Sequence, residues 1–433
     1  MHRSVIIIGA GLSGLIAAKS LQSRGWLVEV LENRGCVGGR IQTDLMDGFL
    51  LDHGFQVFLT AYEQASQALD CAKLELGNFS SGALVYCKGK FIRVADPWRS
   101  PEHLLATAIA PIGSLFDKLR IARFRRRVTR STDHELLQES QTSALERLRF
   151  DGFSEKIISC FFRPFFGGIF LEQNLETSSG RMDFVFRNFS LGMAALPRNG
   201  MQAIPAQLAE RLNSGTIKFN TTVATIASPP VNTQGKQVVV LSDGTRLNAD
   251  IVIVATEKPA ANKLLGIDKD SDSYSTTCTY FAVKSPPLKE ATLVLNGELA
   301  GPINSLCFPS FAQPSYAPQG QHLLSVTTRG NLDWAPQSVL DSTVMQLRQW
   351  FGPQVDQWKF LRTYRIVHAL PAQKPSDITP TVASSNGTEQ SLLVRKGVYR
   401  CGDYCETASI EGAIKSGLKV AEEVLSKHQS STD

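Results

Sequence analysis

The sequence has no apolar stretch that approaches the roughly 18–20 residues needed for a membrane-spanning helix. The apolar run near the N-terminus, Val5 to Ile8, is too short for the core of a signal peptide. None of the eight cysteines belongs to paired Cys-x-x-Cys motifs, and the histidines lack metal-ligand spacing. We therefore expect a cytoplasmic chain with free thiols and no bound metal, whose contact with any membrane is limited to its surface.

Positive charge exceeds negative charge only slightly, with 45 Lys and Arg against 40 Asp and Glu. Seven of the basic residues lie between Lys118 and Arg130 without an acid among them, so the rest of the chain is nearly neutral. Residues 104–130 combine this charge with apolar positions. The pattern fits either a solvated basic face or a helix on an anionic membrane surface. It does not favour nucleic acid, because no stacking aromatics are interleaved beyond Phe124.

The length of 433 residues predicts two or three structural units, and an apolar fraction of 43% excludes a disordered chain. Val5 to Ile8 is a β-branched run typical of a strand buried in a parallel sheet. Helical spacing follows from Leu15 to Leu21, and Leu27 to Leu31 predicts a second strand. The first 31 residues therefore predict a βαβ unit.

A glycine-rich turn joins the first predicted strand to the helix and fits Gly-x-Gly-x-x-Gly. Its residues are Gly9, Ala10, Gly11, Leu12, Ser13 and Gly14. The glycines permit a tight turn, close approach to a pyrophosphate and close helix–strand packing, while the helix N-terminus supplies unpaired N–H groups. Glu32 ends the second strand, where its carboxylate accepts from ribose hydroxyls and disfavours NADP. These features predict a dinucleotide site and leave NAD and FAD open.

The residues after Glu32 resemble those of the flavin amine oxidase superfamily. Gly38, Gly39 and Arg40 follow it within eight positions, at the spacing of that family's Glu and Gly-Gly-Arg motif. The resemblance implies that the two glycines and Arg40 lie along the pyrophosphate of FAD, and Asn33 is a further predicted cofactor-binding residue. Arg40 offers a planar cationic fork to phosphate oxygens, which suits that role.

Further segments resemble the plant-type carotene desaturases of this superfamily. One of them implies a glycine and an aromatic strand beside the flavin, formed by Gly54, Phe55, Gln56 and Val57. Near the C-terminus, Gly402 and Asp403 match a ribityl-binding pair, and a helix beginning near Ile410 aims its N-terminus at the flavin N1–C2=O edge. Val223 matches the backbone contact to adenine, and Ala255 belongs to a second strand of the dinucleotide domain.

Two departures from the family bear on the substrate and the cofactor. Ser409 stands where amine oxidases place an aromatic residue that orients the amine. The segment from Lys396 to Cys401 lacks the family's motif for covalent flavin attachment. We therefore expect non-covalent FAD and a hydrophobic small-molecule substrate rather than a primary amine. His53 and His368 are the candidates for proton handling.

We predict an α/β chain in which a Rossmann-type FAD-binding domain contains an inserted α+β substrate domain. The FAD-binding domain comprises residues 1–88, 195–265 and 390–433, and the substrate domain comprises residues 89–194 and 266–389. The implied activity is transfer of a hydride or two electrons from a polyene or isoprenoid to the flavin, as in a desaturase or isomerase. The alternatives are an amine or protoporphyrinogen oxidase using oxygen, and a flavin-binding protein without turnover.

Overall fold

The computed structural model describes residues 3–96, 99, 110–138, 142–227, 236–267, 272–329, 335–375 and 392–429. The strands are β1 Ser4–Ile8, β2 Leu27–Leu31, β3 Thr43–Met46, β4 Phe49–Asp52, β5 Phe58–Leu59, β6 Gly77–Asn78, β7 Gly82–Cys87, β8 Lys90–Ala95, β9 Ala194–Leu196, β10 Ile217–Lys218, β11 Val223–Ala227, β12 Gln237–Leu241, β13 Arg246–Ala249, β14 Ile251–Val254, β15 Ser273–Val283, β16 Leu293–Asn296, β17 Ile303–Cys307, β18 His322–Arg329, β19 Lys359–Pro371, β20 Leu393–Arg395 and β21 Val398–Arg400. The α-helices are α1 Leu12–Gln22, α2 Glu63–Ala68, α3 Cys71–Leu74, α4 Leu115–Arg130, α5 Asp133–Gln138, α6 Ala144–Phe150, α7 Glu155–Ile157, α8 Arg163–Phe170, α9 Ser179–Leu191, α10 Ala203–Ala209, α11 Lys258–Leu265, α12 Pro309–Ala312, α13 Pro336–Phe351 and α14 Ile410–Gln429.

The first large sheet is built on the N-terminal βαβ unit. Its strand order is β10-β2-β1-β14-β21-β20, and all neighbours are parallel except β20 and β21. The β-branched run Val5 to Ile8 is buried at the centre, between β2 and β14. Its strands come from three distant parts of the chain, so the sheet is complete only when the chain returns to it twice.

The first and last helices described in the chain pack against each other beside this sheet. The Ser13 hydroxyl at the start of α1 donates to the Ala413 carbonyl of α14 at 2.7 Å. Both helices bury apolar residues of small or medium size, among them Ala17, Ile414 and Val420. The contact places the beginnings of α1 and α14 side by side at one end of the sheet.

A second large sheet has seven strands in the order β19-β15-β18-β17-β16-β7-β8. Its pairings are antiparallel except for β16 with β7. Trp350 of α13 stacks on Tyr86 of β7, with ring centroids 4.5 Å apart. The hairpin of β7 and β8 lies wholly in this sheet, so a boundary between residues 88 and 89 would divide one hairpin.

Helices α4 to α9 and a π-helical segment, Ile158–Phe162, form a layer with a phenylalanine-rich interior. Phe124 of α4 stacks on Phe186 of α9 at 4.3 Å, and Phe162 stacks on Phe166 at 5.9 Å. A capping box of Ser114 and Asp117 begins α4. Among the described residues, no helix has the length and apolar character to cross a membrane.

Candidate active site

One continuous cavity of about 1060 Å³ runs between the first sheet and the helical layer. Its walls include the glycine-rich turn at Gly9, the end of β2 at Glu32 and the start of α14 at Ile410. Residues of α4, α8 and α9 line it as well. The volume lies at the upper end of the roughly 300–1,000 Å³ of ordinary ligand pockets, so the cavity accommodates a large ligand.

The glycine-rich turn has the geometry that a bound pyrophosphate requires. A Cβ atom at Gly14 would lie 2.1 Å from the Gly9 carbonyl oxygen, which explains the glycine at this packing position. A Cβ atom at Gly11 would meet no protein atom within 4 Å, because Gly11 faces the cavity. Helix α1 begins directly after Gly11 without a side-chain cap, so its first N–H groups are available to an anion.

Glu32 lies at the end of β2, with its side chain buried. One carboxylate oxygen accepts from the Ala10 N–H at 2.8 Å, and the other accepts from the Arg34 N–H at 2.9 Å. Each oxygen retains capacity for a further donor, because an ionised carboxylate has about four acceptor positions. The predicted role of Glu32, accepting from two ribose hydroxyls, is compatible with this geometry.

The structure pairs Arg40 with Asp403, two predicted cofactor-binding residues far apart in the chain. Their side chains form an ion pair of 2.6 Å, and Arg40 also donates to the Ala369 carbonyl at 3.0 Å. Burial acts to lower the pKa of Arg40, but the charge and hydrogen bond of Asp403, together with the influence of Glu257 and Tyr404, more than offset it, so that the pKa is raised. The pair fixes a cation and an anion on the same stretch of cavity wall.

The predicted cofactor-binding residues line this cavity, with two exceptions. Those that line it are Gly9, Gly11, Leu12, Ser13, Glu32, Asn33, Gly38, Gly39, Arg40, Gly54, Phe55, Gln56, Val57, Val223, Ala255, Gly402, Asp403 and Ile410. Ala10 and Gly14 do not line it. Ala10 instead fixes the Glu32 carboxylate, and Gly14 provides the close contact with Gly9.

His53 lines the cavity and is held by two neighbours. Its Nε2 lies 3.1 Å from the Asp44 carboxylate, and its ring stacks on Tyr364 with centroids 4.4 Å apart. The Tyr364 hydroxyl donates to the same carboxylate at 2.7 Å. Partial burial acts to raise the pKa of Asp44, but the Tyr364 and His53 contacts and the charge of Arg362 lower it. The imidazole is therefore oriented by a carboxylate that remains ionised.

His368 is not among the residues that line this cavity, so the geometry gives no support to its predicted proton handling there. Its Nδ1 lies 2.7 Å from the Ser273 hydroxyl, in the pairing of β19 with β15. Strand alternation would place His368 on the same side as Ile366 and Leu370, which line the cavity, but the pairing of β19 with β15 is irregular between these two residues.

Sequence reasoning missed the aromatic side of the cavity. We call this part the aromatic chamber, and its lining side chains are Ile121, Phe161, Phe165, Ile169, Phe186 and Phe189. The dense phenylalanine run from Phe161 to Phe166 was the available signal. Spacing alone could not show which rings face a cavity, because a π-helical segment interrupts the α-helical period there.

The chamber also has a basic wall that belongs to α4 and the chain preceding it. Arg99, Lys118 and Arg125 line it, together with Asp96. Arg125 Nε lies 3.7 Å from the Asp96 carboxylate, and Arg125 Nη2 donates to the Ser190 carbonyl at 3.1 Å. Of the predicted surface segment 104–130, residues 104–109 lie outside the described part of the chain.

A sequence model of the family described as flavin containing amine oxidoreductase matches residues 12–425 of this chain. The chain belongs to that family. The predictions of an FAD-dependent oxidoreductase and of FAD as a non-covalent cofactor are confirmed at the level of the family. The residues of the cleft fit this cofactor, because the uncapped N-terminus of α1, the empty Cβ position of Gly11 and the Glu32 carboxylate all line the same cavity.

Curated relatives match over parts of their length. Protoporphyrinogen oxidase 2 of Arabidopsis thaliana is 26% identical over 170 residues, which are 38% of this chain and 32% of that protein. Polyamine oxidase 2 of Arabidopsis thaliana is 49% identical over 51 residues, which are 12% of this chain and 10% of that protein. The chain thus spans about a third or less of the curated relatives it matches.

Solved structures match over nearly the whole fold. A putative protoporphyrinogen oxidase from Exiguobacterium sp. 255-15 has a TM-score of 0.74 at 17% identity, covering 99% of this chain and all of that one. A putrescine oxidase variant has a TM-score of 0.73 at 16% identity, covering 98% of this chain and 99% of that one. These similarities confirm the predicted α/β fold class.

Proposed function

We propose that this chain is an FAD-dependent oxidoreductase for a hydrophobic substrate, of the polyene or isoprenoid type, in a desaturation or isomerisation. The observation that carries the proposal is the continuity of the aromatic chamber with the dinucleotide cleft. Bound FAD accepts a hydride or an electron pair. The phenylalanine side chains hold an apolar substrate by removing its surface from water, which contributes about 25 cal/mol per Å² of buried apolar area.

The protein supplies orientation and charge around this chamber. The start of α14 directs N–H groups and a positive dipole end at the cleft beside Ser409, where negative charge is stabilised. The Asp44 carboxylate orients the His53 imidazole, so this ring is able to hold a proton at the cavity wall.

The charges lining the chamber disfavour an amine. Among the described residues of its basic wall, the acidic side chain is Asp96, and it lies 3.7 Å from the Arg125 guanidinium. A substrate ammonium would thus meet Arg99, Lys118 and Arg125 without a carboxylate committed to it. Ser409 also offers no aromatic face to a cation.

A second candidate is oxidation of a protoporphyrinogen-like substrate with oxygen as acceptor. Two findings favour it: the names of the relatives in sequence and in structure, and the three basic side chains of the chamber wall. Such a substrate combines an apolar body with carboxylates, which Arg99, Lys118 and Arg125 would attract.

Anaerobic bleaching of the flavin separates these candidates. The purified holoprotein is mixed with carotenoids, porphyrinogens and amines, and flavin absorbance is followed. We expect bleaching by a polyene or isoprenoid, and a loss of at least tenfold in its rate at sub-saturating substrate in Phe165→Ala. The control is Phe150→Ser, because Phe150 is 86% exposed on α6. Bleaching by amines alone would refute the proposal. A flavin that no substrate bleaches would exclude desaturation, and if the polyene is also recovered without isomerisation, the result would indicate binding without turnover.

We also propose that α4 docks on an anionic membrane surface from which the substrate enters. Phe116, Leu119, Arg123, Arg126 and Arg130 recur at helical spacing, and all five are exposed. The stripe is apolar at its N-terminal end and basic at its C-terminal end. Other residues of the same helix line the aromatic chamber, so one helix joins the proposed membrane face to the proposed substrate site.

The expected strength follows from these side chains. Phe116 and Leu119 are 70% and 67% exposed, and their burial would contribute about 1.5–3 kcal/mol each. Arg123, Arg126 and Arg130 would add about 1 kcal/mol each at an anionic surface. Charge complementarity therefore favours an anionic bilayer over a neutral one.

Flotation with liposomes tests this docking. We expect the chain to float with phosphatidylserine-containing liposomes, and not with phosphatidylcholine alone. Arg123→Glu with Arg126→Glu, and separately Phe116→Ser with Leu119→Ser, should abolish flotation. Phe150→Ser is again the matched control, since it removes an exposed ring elsewhere. Flotation that is independent of lipid charge, or unchanged in both double variants, would exclude this surface.

A further inference from the structure

A small side cavity adjoins the aromatic chamber near the start of α14. Val185, Leu370, Ala408 and Ser409 line both spaces. The side cavity has a volume of about 20 Å³, which accommodates a water molecule or a group of similar size. Phe170, Phe184 and Pro371 add apolar side chains to its wall, and Thr177, Gln373 and Thr407 add polar ones.

Arg181 is the charged side chain that faces this side cavity. It lies in the first turn of α9, and its Nε is sealed from solvent without a hydrogen-bond partner. No ion pair or hydrogen bond to its guanidinium exists among the described residues. A guanidinium in such surroundings stays charged at neutral pH, so the side cavity contains a cation that lacks a counter-charge.

The nearest acidic influence on Arg181 comes from Glu406, whose charge is committed elsewhere. The Glu406 carboxylate pairs with Lys419 at 2.7 Å and with Lys415 at 3.6 Å. Burial lowers the pKa of Arg181 to about 10, and Glu406 offsets this only in part. The lowered pKa agrees with the geometry, because a nearby counter-charge would keep the pKa of a guanidinium closer to its ordinary value.

Arg187, two turns further along α9, shows what a compensated arginine looks like in the same helix. Its Nη1 lies 3.0 Å from the Asp133 carboxylate, and its Nε donates to the Ser131 carbonyl at 2.8 Å. Arg181 has neither kind of partner. Of these two arginines, the one that faces the side cavity, Arg181, is therefore the one without an acidic partner in the described part of the chain.

We propose that Arg181 binds a carboxylate in the side cavity, and that this carboxylate is the terminal group of a substrate whose apolar body occupies the aromatic chamber. The inference rests on the proposed function and narrows its substrate to an apolar acid. A guanidinium fork matches the two oxygens of a carboxylate. Tyr274 lines the same space and offers a phenol as a second donor, because burial raises its pKa to about 12.

Binding to the oxidised holoprotein tests the proposal with three probes. Decanoate has an apolar chain and a carboxylate, decan-1-ol has the chain without the charge, and acetate has the charge without the chain. Perturbation of the flavin absorbance and the midpoint of thermal unfolding are measured with each. In the parent protein we expect decanoate to bind at least tenfold more tightly than decan-1-ol.

Arg181→Met should weaken the binding of decanoate by about 10- to 100-fold, as expected when hydrogen bonds to a charged group are lost. The affinity for decan-1-ol should not change. Arg187→Met is the matched control and should leave both affinities unchanged. Without any probe, Arg181→Met should raise the unfolding midpoint, because it removes an uncompensated cation, whereas Arg187→Met should lower it. Unchanged decanoate binding in Arg181→Met would overturn the proposal, as would a lowered midpoint like that of Arg187→Met.

The acetate arm identifies the source of the carboxylate. If acetate stabilises the parent but not Arg181→Met, while decanoate leaves the flavin spectrum unperturbed, the ligand is a free small anion and the assignment to substrate is overturned. A protein purified without flavin would refute the proposed function alone. The thermal midpoints with and without decanoate would still report on Arg181 in that case.

Discussion

Gly11 and Gly14 form a pair of substitutions that separates cofactor binding from folding. Gly11 has an extended backbone conformation, with φ −74° and ψ 177°, and its Cβ position is empty. Gly11→Ala therefore introduces no clash in the apo-protein. As a helix cap, alanine is worse than glycine by up to about 1 kcal/mol, and it gains about 0.4–1 kcal/mol by restricting the unfolded chain. We expect the free energy of unfolding of the apo-protein to change by less than about 0.5 kcal/mol.

The same methyl group would occupy the space through which a pyrophosphate approaches the N-terminus of α1. Each hydrogen bond to a charged group that is lost costs about 1.5–3 kcal/mol, so FAD affinity should fall by about 10- to 100-fold. Gly14→Ala behaves differently, because its Cβ would lie 2.1 Å from the Gly9 carbonyl oxygen. That clash should lower the stability of the apo-protein by about 1–3 kcal/mol or more.

Two measurements distinguish these effects. Titration of the apo-protein with FAD, followed by quenching of flavin fluorescence, gives the affinity. Urea unfolding of the apo-protein gives the stability. The reasoning is refuted if Gly11→Ala binds FAD within threefold of the parent, or if its apo-protein is as unstable as that of Gly14→Ala.

Three further substitutions test the packing and electrostatics of the fold. Phe162→Ala removes a fully buried ring and should lower the free energy of unfolding by about 3–5 kcal/mol in urea; a loss below about 1 kcal/mol would contradict the packing described. Arg127→Met leaves the buried Asp183 without its ion-pair partner at 2.5 Å and should lower the free energy of unfolding by about 3–5 kcal/mol. Arg126 is exposed, so Arg126→Met should change this free energy by less than about 0.5 kcal/mol. Equal effects of the two substitutions would refute the ion pair. Burial raises the pKa of Asp52 from 3.8 to about 6, so the unfolded chain loses this proton first and stability falls as pH rises from about 4 to about 6. Asp52→Asn should reduce this pH-dependent loss of unfolding free energy by about 3 kcal/mol. Urea unfolding midpoints at pH 4, 5, 6 and 7 measure the effect, and an unchanged pH profile would exclude the raised pKa.

The dinucleotide cleft was predictable because its parts are local in sequence. The turn from Gly9 to Gly14 and the carboxylate of Glu32 depend on one βαβ unit, whose strands and helix follow from short apolar patterns. The ion pair of Arg40 and Asp403 was not predictable, since 362 residues separate them in the chain and only the completed sheet brings them together.

The aromatic chamber and the side cavity depended on tertiary packing. Arg181 carries no motif, and only the absence of a partner in the folded structure distinguishes it from Arg187. The basic run of α4 was similarly ambiguous. Arg125 and Arg127 turn inward to acids of other elements, while Arg123 and Arg126 stay exposed, and this division depends on which face of the helix the rest of the chain covers.

The return of the chain to its first sheet has a consequence for biosynthesis. The turn at Gly9 and Glu32 leave the ribosome before Asp403 and the start of α14, which lie several hundred residues further along the chain. Until those residues are made, the cofactor cleft lacks one wall and α1 has no α14 to cover its apolar side. Flavin loading should therefore follow synthesis of α14, and the nascent chain must keep its first βαβ unit from aggregating until that helix is made.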